Sequence, residues 1–204
     1  EIILERYEGA PLTDEQKEQY ATEKNDVYKK LLGNMSEKDL SKEVADTLNA
    51  LRAKGLKLAI GSSSKNTPYI LERIGLGNFF DAVSDGNNIT HSKPDPEVFV
   101  KAAEFLGLPA EKCMVVEDAE AGIDAAIAGH MDSAAIGDAV GCGKATCNLT
   151  TFADLLKAVG EHLIFKGTHK RKPWHILNRM ENVGGDLNAY TNKEETVAYC
   201  AFMI

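Results

Sequence analysis

The 204-residue chain is 44% hydrophobic and 26% charged, an ordinary globular composition with enough material for one medium-sized domain or two small ones. Its formal net charge of -8 argues against nucleic-acid and anionic-membrane partners, because such partners need a basic face. No apolar run reaches the roughly 18 residues of a membrane span, and the cysteines lack the spacing of a secreted disulfide scaffold, which favours a cytoplasmic protein.

The amino-terminal quarter of the chain favours helices. Residues 1–34 are charged and helix-prone, and Pro11 with Asp14 forms a turn and cap before residues 15–32, so we expect two helices here. Residues 37–54 carry apolar side chains at helical spacing, and Gly55 follows them as a helix-ending glycine.

From residue 56 onward, short apolar runs alternate with helical patterns. The predicted strands are residues 56–60, 82–83, 113–116 and 133–136, and the predicted helices are residues 68–74, 96–106 and 121–128. This alternation predicts an α/β fold in which a doubly wound parallel sheet has helices on both faces. In such sheets ligands bind at the carboxyl ends of the strands.

A polar loop follows the first predicted strand. It contains Gly61, Ser62, Ser63, Ser64, Lys65 and Asn66. Hydroxyls and backbone amides at a strand-to-helix turn can donate hydrogen bonds to phosphate oxygens. A serine-rich turn that only caps the next helix is the competing interpretation.

Two further loops carry charged groups. Lys93 lies in a stiff loop between Ser92 and Pro94, where it could neutralise a phosphoryl group or stay solvated. Glu117 and Asp118 end an apolar strand, which suits oxygen ligands for Mg²⁺. Asp118 could instead cap the following helix.

These motifs, in this order and spacing, resemble the haloacid-dehalogenase superfamily, and its β-phosphoglucomutase branch in particular. The matching strings are residues 56–66, 92–99 and 116–122. The resemblance implies a Rossmann-like core, with residues 1–40 as part of a helical cap and residues 41–159 as the core. It implies that Ser62 and Lys93 hold the transferring phosphoryl group, and that Glu117 and Asp118 hold Mg²⁺. By the same resemblance the substrate-binding residues are Ser63, Ser64, Lys65 and Asn66.

The nucleophile that the resemblance implies is missing. In that superfamily it lies in an Asp-x-Asp motif after the first strand, before the cap, and no acid of this chain follows an apolar strand in that pattern. The absent strand would be central, and its loss would expose two strand edges. We therefore expect that the sequence is a fragment of a longer chain, that another segment fills the position, or that the domain is poorly stable.

Composition changes near Val159, where we predict a boundary before residues 160–204. That segment has six Lys and Arg against five Asp and Glu. It resembles the start of a pitrilysin-type zinc metallopeptidase, in which a His-x-x-Glu-His motif binds zinc. Here Ala158 replaces the first histidine and only Glu161 and His162 remain, so we expect no zinc and no peptidase activity. Residues 188–203 alternate enough for a strand, which we place at a sheet edge.

The sequence therefore predicts Mg²⁺-dependent phosphoryl transfer on a sugar phosphate, with the aspartyl-phosphate residue absent and the isolated chain inactive. A phosphatase of the same superfamily and a non-catalytic phosphate-binding module are the alternatives. The expected partner is a small-molecule sugar phosphate, with Mg²⁺ as the cofactor, and the oligomeric state stays open.

Overall fold

A computed structural model describes residues 12–166 and 199–201 of the chain. The strands in these residues are β1 (Leu58–Gly61), β2 (Ala82–Ser84), β3 (Met114–Glu117), β4 (Asp132–Ala135), β5 (Cys147–Asn148) and β6 (Tyr199–Ala201). The α-helices are α1 (Asp14–Leu32), α2 (Lys42–Ala53), α3 (Thr67–Arg73), α4 (Glu97–Leu106), α5 (Glu120–Ala128) and α6 (Leu155–Lys166). Within the described residues, no helix has the length and apolar character that a membrane crossing requires.

All six strands join in one parallel sheet, in the order β2, β1, β6, β3, β4, β5. Every residue of β1 and β3 is buried, as expected of strands that are covered on both faces. The predicted strands and helices between residues 56 and 136 are present, with ends shifted by a few residues at most. The doubly wound α/β fold is confirmed.

Two hydrophobic clusters cover opposite faces of the sheet. One contains Met114 and Val116 of β3 with buried residues of α2, α3 and α6, including Leu48 and Leu71. The other contains Val115 with buried residues of α4 and α5. The alternation along β3 follows from the pleat, which points successive side chains to opposite faces.

Helix α1 is an exposed arm that begins at a capping box. The Thr13 hydroxyl accepts from the Gln16 N–H at 3.2 Å, and the Gln16 side chain accepts from the Thr13 N–H at 3.0 Å. Of its residues only Leu32 is buried. The Arg73 guanidinium of α3 donates to the Gly33 and Met35 carbonyls, so the end of α1 is attached to the core.

The single helix predicted for residues 37–54 is corrected. A short 3-10 helix spans Glu37–Asp39, and α2 begins only at Lys42. The break occurs because the Ser41 hydroxyl accepts from the Val44 N–H at 3.2 Å and starts a new helix. Gly55 does follow α2, with a φ of 82°.

At the centre of the sheet, one of the predicted alternatives is observed, because another segment occupies the central strand position. Strand β6 lies between β1 and β3 and pairs with both. The strand predicted within residues 188–203 therefore lies at the centre of the sheet, and its placement at an edge was wrong. The remaining residues of that prediction, and the helix predicted before Pro11, lie outside the described residues.

Helix α6 runs across the boundary predicted at Val159. Leu155 and Val159 are buried against the cluster that contains α2, while Leu156 and Ala158 are partly buried there. Residues 155–159 thus pack as part of the core. The boundary itself stays a prediction, since most of residues 160–204 lie outside the described residues.

Candidate phosphate and metal site

The serine-rich loop after β1 is held by its own hydroxyls. The Ser62 hydroxyl accepts from the Ser64 N–H at 3.2 Å, and the Ser64 hydroxyl accepts from the Asn66 N–H at 3.1 Å. The Thr67 hydroxyl donates to the Ser64 carbonyl at 2.8 Å. Each serine hydroxyl accepts here, so its own proton can still be donated to an anion. The loop is therefore both a structured turn and a source of donors.

Other predicted residues of this loop face outward. Ser63 and Lys65 are exposed, whereas Ser62 is only 9% exposed. The Asn66 side chain donates to the Asn25 side chain at 3.2 Å, and this hydrogen bond connects the loop to α1.

A second loop, residues 85–88, supports the first, and the sequence analysis missed it. The Gly86 N–H donates to the Ser64 carbonyl at 3.3 Å, and the Asn87 side chain donates to the Lys65 carbonyl at 3.0 Å. A Cβ at Gly86 would lie 2.5 Å from the Ser63 carbonyl oxygen, so only glycine allows this approach. The Asp, Gly and Asn residues after β2 were the available signal, because such residues mark a tight turn.

Lys93 and Glu117 form an ion pair at the carboxyl end of β3. The Lys93 ammonium contacts the Glu117 carboxylate, and the two side chains are 14% and 1% exposed. The ammonium also lies 5.0 Å from the centre of the Phe99 ring. The second Glu117 oxygen accepts from the Ala119 N–H at 3.3 Å. A buried carboxylate is tolerated here because both of its oxygens have donors.

Asp118 is exposed. It does not cap α5, which was the alternative prediction for this residue. The N-cap of α5 is Ala119, without a side-chain cap bond. Within the described residues, the Asp118 carboxylate has no hydrogen-bond or ion-pair partner. Carboxylate oxygens are the hard donors that Mg²⁺ prefers, and of this adjacent pair Asp118 is the one whose oxygens are open to an ion, whereas the Glu117 oxygens already accept from Lys93 and Ala119.

The small residues of α5 make room for Glu117. A Cβ on Gly122 would overlap the carboxyl carbon of Glu117. Where α5 packs against the sheet at Gly122, it therefore also packs against the Glu117 carboxylate of the ion pair.

Glu97 anchors the loop that carries Lys93. Its carboxylate accepts from the Thr90 N–H at 2.9 Å, from the His91 N–H at 2.7 Å and from Lys101 at 2.7 Å. These bonds, the Lys101 bond first, lower the pKa of Glu97 to about 2. Possible metal-ligand atoms of His91, Asp95 and Glu97 lie within 4.8 Å of one another. Because the Glu97 oxygens already accept several bonds, this cluster holds the loop in place.

The two halves of the site lie on opposite sides of β6. Ser62 follows β1 and Glu117 ends β3, so one strand position separates them. Glu161 and His162 belong to α6, and their side chains lie outside the described residues.

A cavity of about 230 Å³ opens beside Ser62 and Ser64. Its walls are mostly apolar and come from α1, the segment before α2, β1, α2 and α3. Ser62, Ser64 and Thr67 contribute polar groups to its lining.

The sequence of the chain matches a known protein family. The model of the haloacid dehalogenase-like hydrolases matches residues 3–130. The chain belongs to this family.

Two curated relatives of this haloacid dehalogenase-like chain differ in activity. A β-phosphoglucomutase of Bacillus subtilis is 33% identical over 125 residues, which cover 61% of this chain and 55% of the relative. A phosphoglycolate phosphatase of Salmonella paratyphi A is 31% identical over 145 residues, which cover 66% of this chain and 57% of the relative. The haloacid dehalogenase-like chain thus spans a little over half the length of these relatives.

Solved structures agree with the fold. A β-phosphoglucomutase from Clostridium difficile superposes with a TM-score of 0.68 at 28% identity, covering 74% of this chain and 68% of the other. A second family model, Insulinase (Peptidase family M16), matches residues 158–203. That segment is the one whose pitrilysin-type resemblance we predicted, and it begins inside α6.

Proposed function

We propose that this chain carries the phosphate- and metal-binding half of a phosphoryl-transfer site for a sugar phosphate. The observation that supports it most is the buried Lys93–Glu117 ion pair at the carboxyl end of a central strand, one strand position from the Ser62 loop. A buried, paired charge at a ligand-binding edge is costly as a stability device and is typical of a functional site.

Each residue has a role in this proposal. The Ser62 hydroxyl and the loop amides donate to phosphate oxygens, and Lys93 neutralises the negative charge of the phosphoryl group. Glu117 and Asp118 hold Mg²⁺, which when bound supplies further positive charge beside the phosphate. The side chains of Ser63, Ser64, Lys65 and Asn66 contact the rest of the substrate.

The attacking carboxylate is the part for which this sequence offers no candidate. No Asp-x-Asp follows an apolar strand in the 204 residues. Covalent transfer needs a nucleophile within reach of the phosphorus atom. We therefore expect binding by this chain and no turnover of its own.

Isothermal titration of the full chain with inorganic phosphate and Mg²⁺ tests the proposal. We expect weak, mutually dependent binding, with phosphate affinity reduced at least about tenfold in Lys93→Met because one charge-assisted bond is lost. Lys112→Met is the matched control, because it removes an exposed lysine that precedes β3, at the opposite end of that strand from Glu117. Absence of both phosphate and Mg²⁺ binding would contradict the half-site.

An enzyme assay tests the expected inactivity. We expect no interconversion of β-glucose 1-phosphate and glucose 6-phosphate by the purified chain. Robust turnover would show that a nucleophile is present in it.

We propose a substrate site of the mutase type ahead of one of the phosphatase type, because Ser64, Lys65 and Asn66 resemble the β-phosphoglucomutase branch. The alternative retains support, since the two curated relatives are 33% and 31% identical to the chain. Competition between β-glucose 1-phosphate and phosphoglycolate for the phosphate site separates the two. Preference for the sugar phosphate that disappears in Lys65→Ala supports the mutase, and preference for phosphoglycolate supports the phosphatase.

Zinc peptidase chemistry is not proposed. Ala158 replaces the first histidine of the motif and packs partly buried against the core. Stoichiometric zinc in the purified chain, measured by elemental analysis, would contradict this view.

A further inference from the structure

The cavity beside Ser62 is larger than an ordinary packing defect. Protein interiors are close-packed and contain few voids larger than a water molecule. At about 230 Å³ this cavity exceeds the roughly 150 Å³ of an apolar cavity that binds benzene. All of the residues that line it belong to the described part of the chain. The cavity is therefore large enough for a small organic molecule.

A sugar does not match the lining of this cavity. Its most buried lining residues are apolar and come from α2, β1 and α3, as Leu48, Ile60 and Leu71 show. Most hydroxyl groups of a sugar placed here would lose their water without gaining a hydrogen-bond partner, which costs free energy. The sugar phosphate of the proposed function therefore leaves the cavity unexplained, and an apolar body fits it better.

The charges around the cavity favour a neutral occupant. None of the lining residues is a lysine, an arginine or a histidine, so an anionic group inside would have no counter-charge. Asp39 is the charged residue of the lining, but it is exposed to solvent. Water screens the attraction of an exposed carboxylate for a cation, so a cationic occupant gains little from Asp39.

Ser62 adds one specific requirement. Its side chain is only 9% exposed, and its hydroxyl oxygen accepts from the Ser64 N–H. Among the described residues, its own proton has no acceptor. The Ser64 hydroxyl is more exposed, so water can accept its proton, and the Thr67 hydroxyl already donates to the Ser64 carbonyl. A buried donor without an acceptor is unfavourable, so an occupant that carries an acceptor oxygen is favoured.

We infer that this cavity is a binding site for a neutral apolar molecule of about nine non-hydrogen atoms with one acceptor oxygen, such as a small aromatic ketone. The ring packs among the aliphatic and aromatic side chains of the lining, and its oxygen accepts the Ser62 proton. This site goes beyond the proposed half-site and does not depend on it, because neither phosphate nor Mg²⁺ takes part.

Calorimetric titration of the full chain with acetophenone tests the site. α-Methylstyrene is the matched control ligand, because it has the same shape with a methylene group in place of the carbonyl oxygen. We expect saturable binding of acetophenone, about fivefold weaker binding of α-methylstyrene, and no binding of myo-inositol, a ring that carries six hydroxyl groups. Absence of acetophenone binding, equal affinity for α-methylstyrene, or binding of myo-inositol would overturn the inference.

Filling the cavity tests whether the ligand binds inside it. Ile70→Phe enlarges a half-buried lining residue of α3, so we expect acetophenone to bind at least about tenfold more weakly. Val100→Phe is the matched control, because Val100 is also a half-buried helix residue but packs against the cluster on the opposite face of the sheet. Leu40→Phe, at another half-buried lining position, serves if Ile70→Phe does not fold. Undiminished binding in a folded lining variant would contradict the cavity site.

Ser62→Ala tests the hydrogen bond to the ligand. Its affinity for acetophenone should fall to its affinity for α-methylstyrene, because the variant lacks the donor. A preference for acetophenone that persists in this variant would overturn the role of Ser62. None of the titrations contains phosphate or Mg²⁺. Failure of the proposed half-site would therefore leave the cavity site intact, and the reverse also holds.

Discussion

Lys93 and Glu117 show how strongly single residues are coupled in this site. Removing one partner leaves the other charge buried and unpaired, so Lys93→Met should reduce the free energy of unfolding by about 3 kcal/mol. The double variant with Glu117→Gln should lose less than the sum of the two single variants, because neither charge is then left alone. Urea denaturation of the four proteins measures this coupling. If the losses of the two single variants add up to the loss of the double variant within about 0.5 kcal/mol, the ion pair is contradicted.

Gly122 is the residue that allows Glu117 to occupy its position. In Gly122→Ala the added methyl group overlaps the Glu117 carboxyl group, so we expect a loss of about 2 kcal/mol in stability together with weaker Mg²⁺ binding. Gly141→Ala is the control, because a Cβ there meets nothing within 4 Å. Thermal denaturation and Mg²⁺ titration of both variants check this. A neutral Gly122→Ala would place the Glu117 side chain elsewhere.

At the scale of elements, Glu97 joins the start of α4 to the loop before Lys93. Its pKa lies at about 2 in the folded chain against an ordinary value of 4.5, so its ionised form stabilises the fold above about pH 4.5. That stabilisation is lost as the pH falls through about 4.5 towards 2. Glu97→Gln should therefore be less stable than the unmodified chain at pH 7, and the difference should shrink across this window.

The matched control for this pH dependence is Glu104→Gln. Glu104 lies on the same helix, is exposed, and its carboxylate has no hydrogen-bond partner among the described residues. Urea denaturation from pH 2.5 to 7 compares both variants with the unmodified chain. If the difference in unfolding free energy between Glu97→Gln and the unmodified chain does not change with pH, the ionised form of Glu97 does not stabilise the fold.

At the scale of the whole molecule, α6 connects the two segments that differ in sequence resemblance. Leu155 is fully buried in the core, so Leu155→Ala should reduce stability by about 3 kcal/mol. Leu156→Ala, at a partly buried neighbouring position, should cost clearly less. Chemical denaturation monitored by circular dichroism distinguishes them. Equal small losses would show that residues 155–159 do not belong to the core.

Most of the core could be predicted from local patterns. The buried strands β1 and β3 are continuous apolar runs, and the helices between them have recognisable ends, so both the fold class and the loops that follow each strand were predictable. Ser62, Lys93, Glu117 and Asp118 were predicted because strand ends meet at one edge of a parallel sheet. The supporting roles of Gly86 and Glu97 were missed, since they depend on contacts between separate loops.

The sequence by itself determined the strand and helix alternation, the family, and the set of charged groups at the strand ends, because these depend on short-range periodicity and motif spacing. Only the tertiary structure decided that Glu117 is paired with Lys93, that Asp118 does not cap α5, and that β6 lies at the centre of the sheet. Those outcomes depend on which distant segments meet. Burial and strand pairing select among the possible partners only when the whole chain is folded.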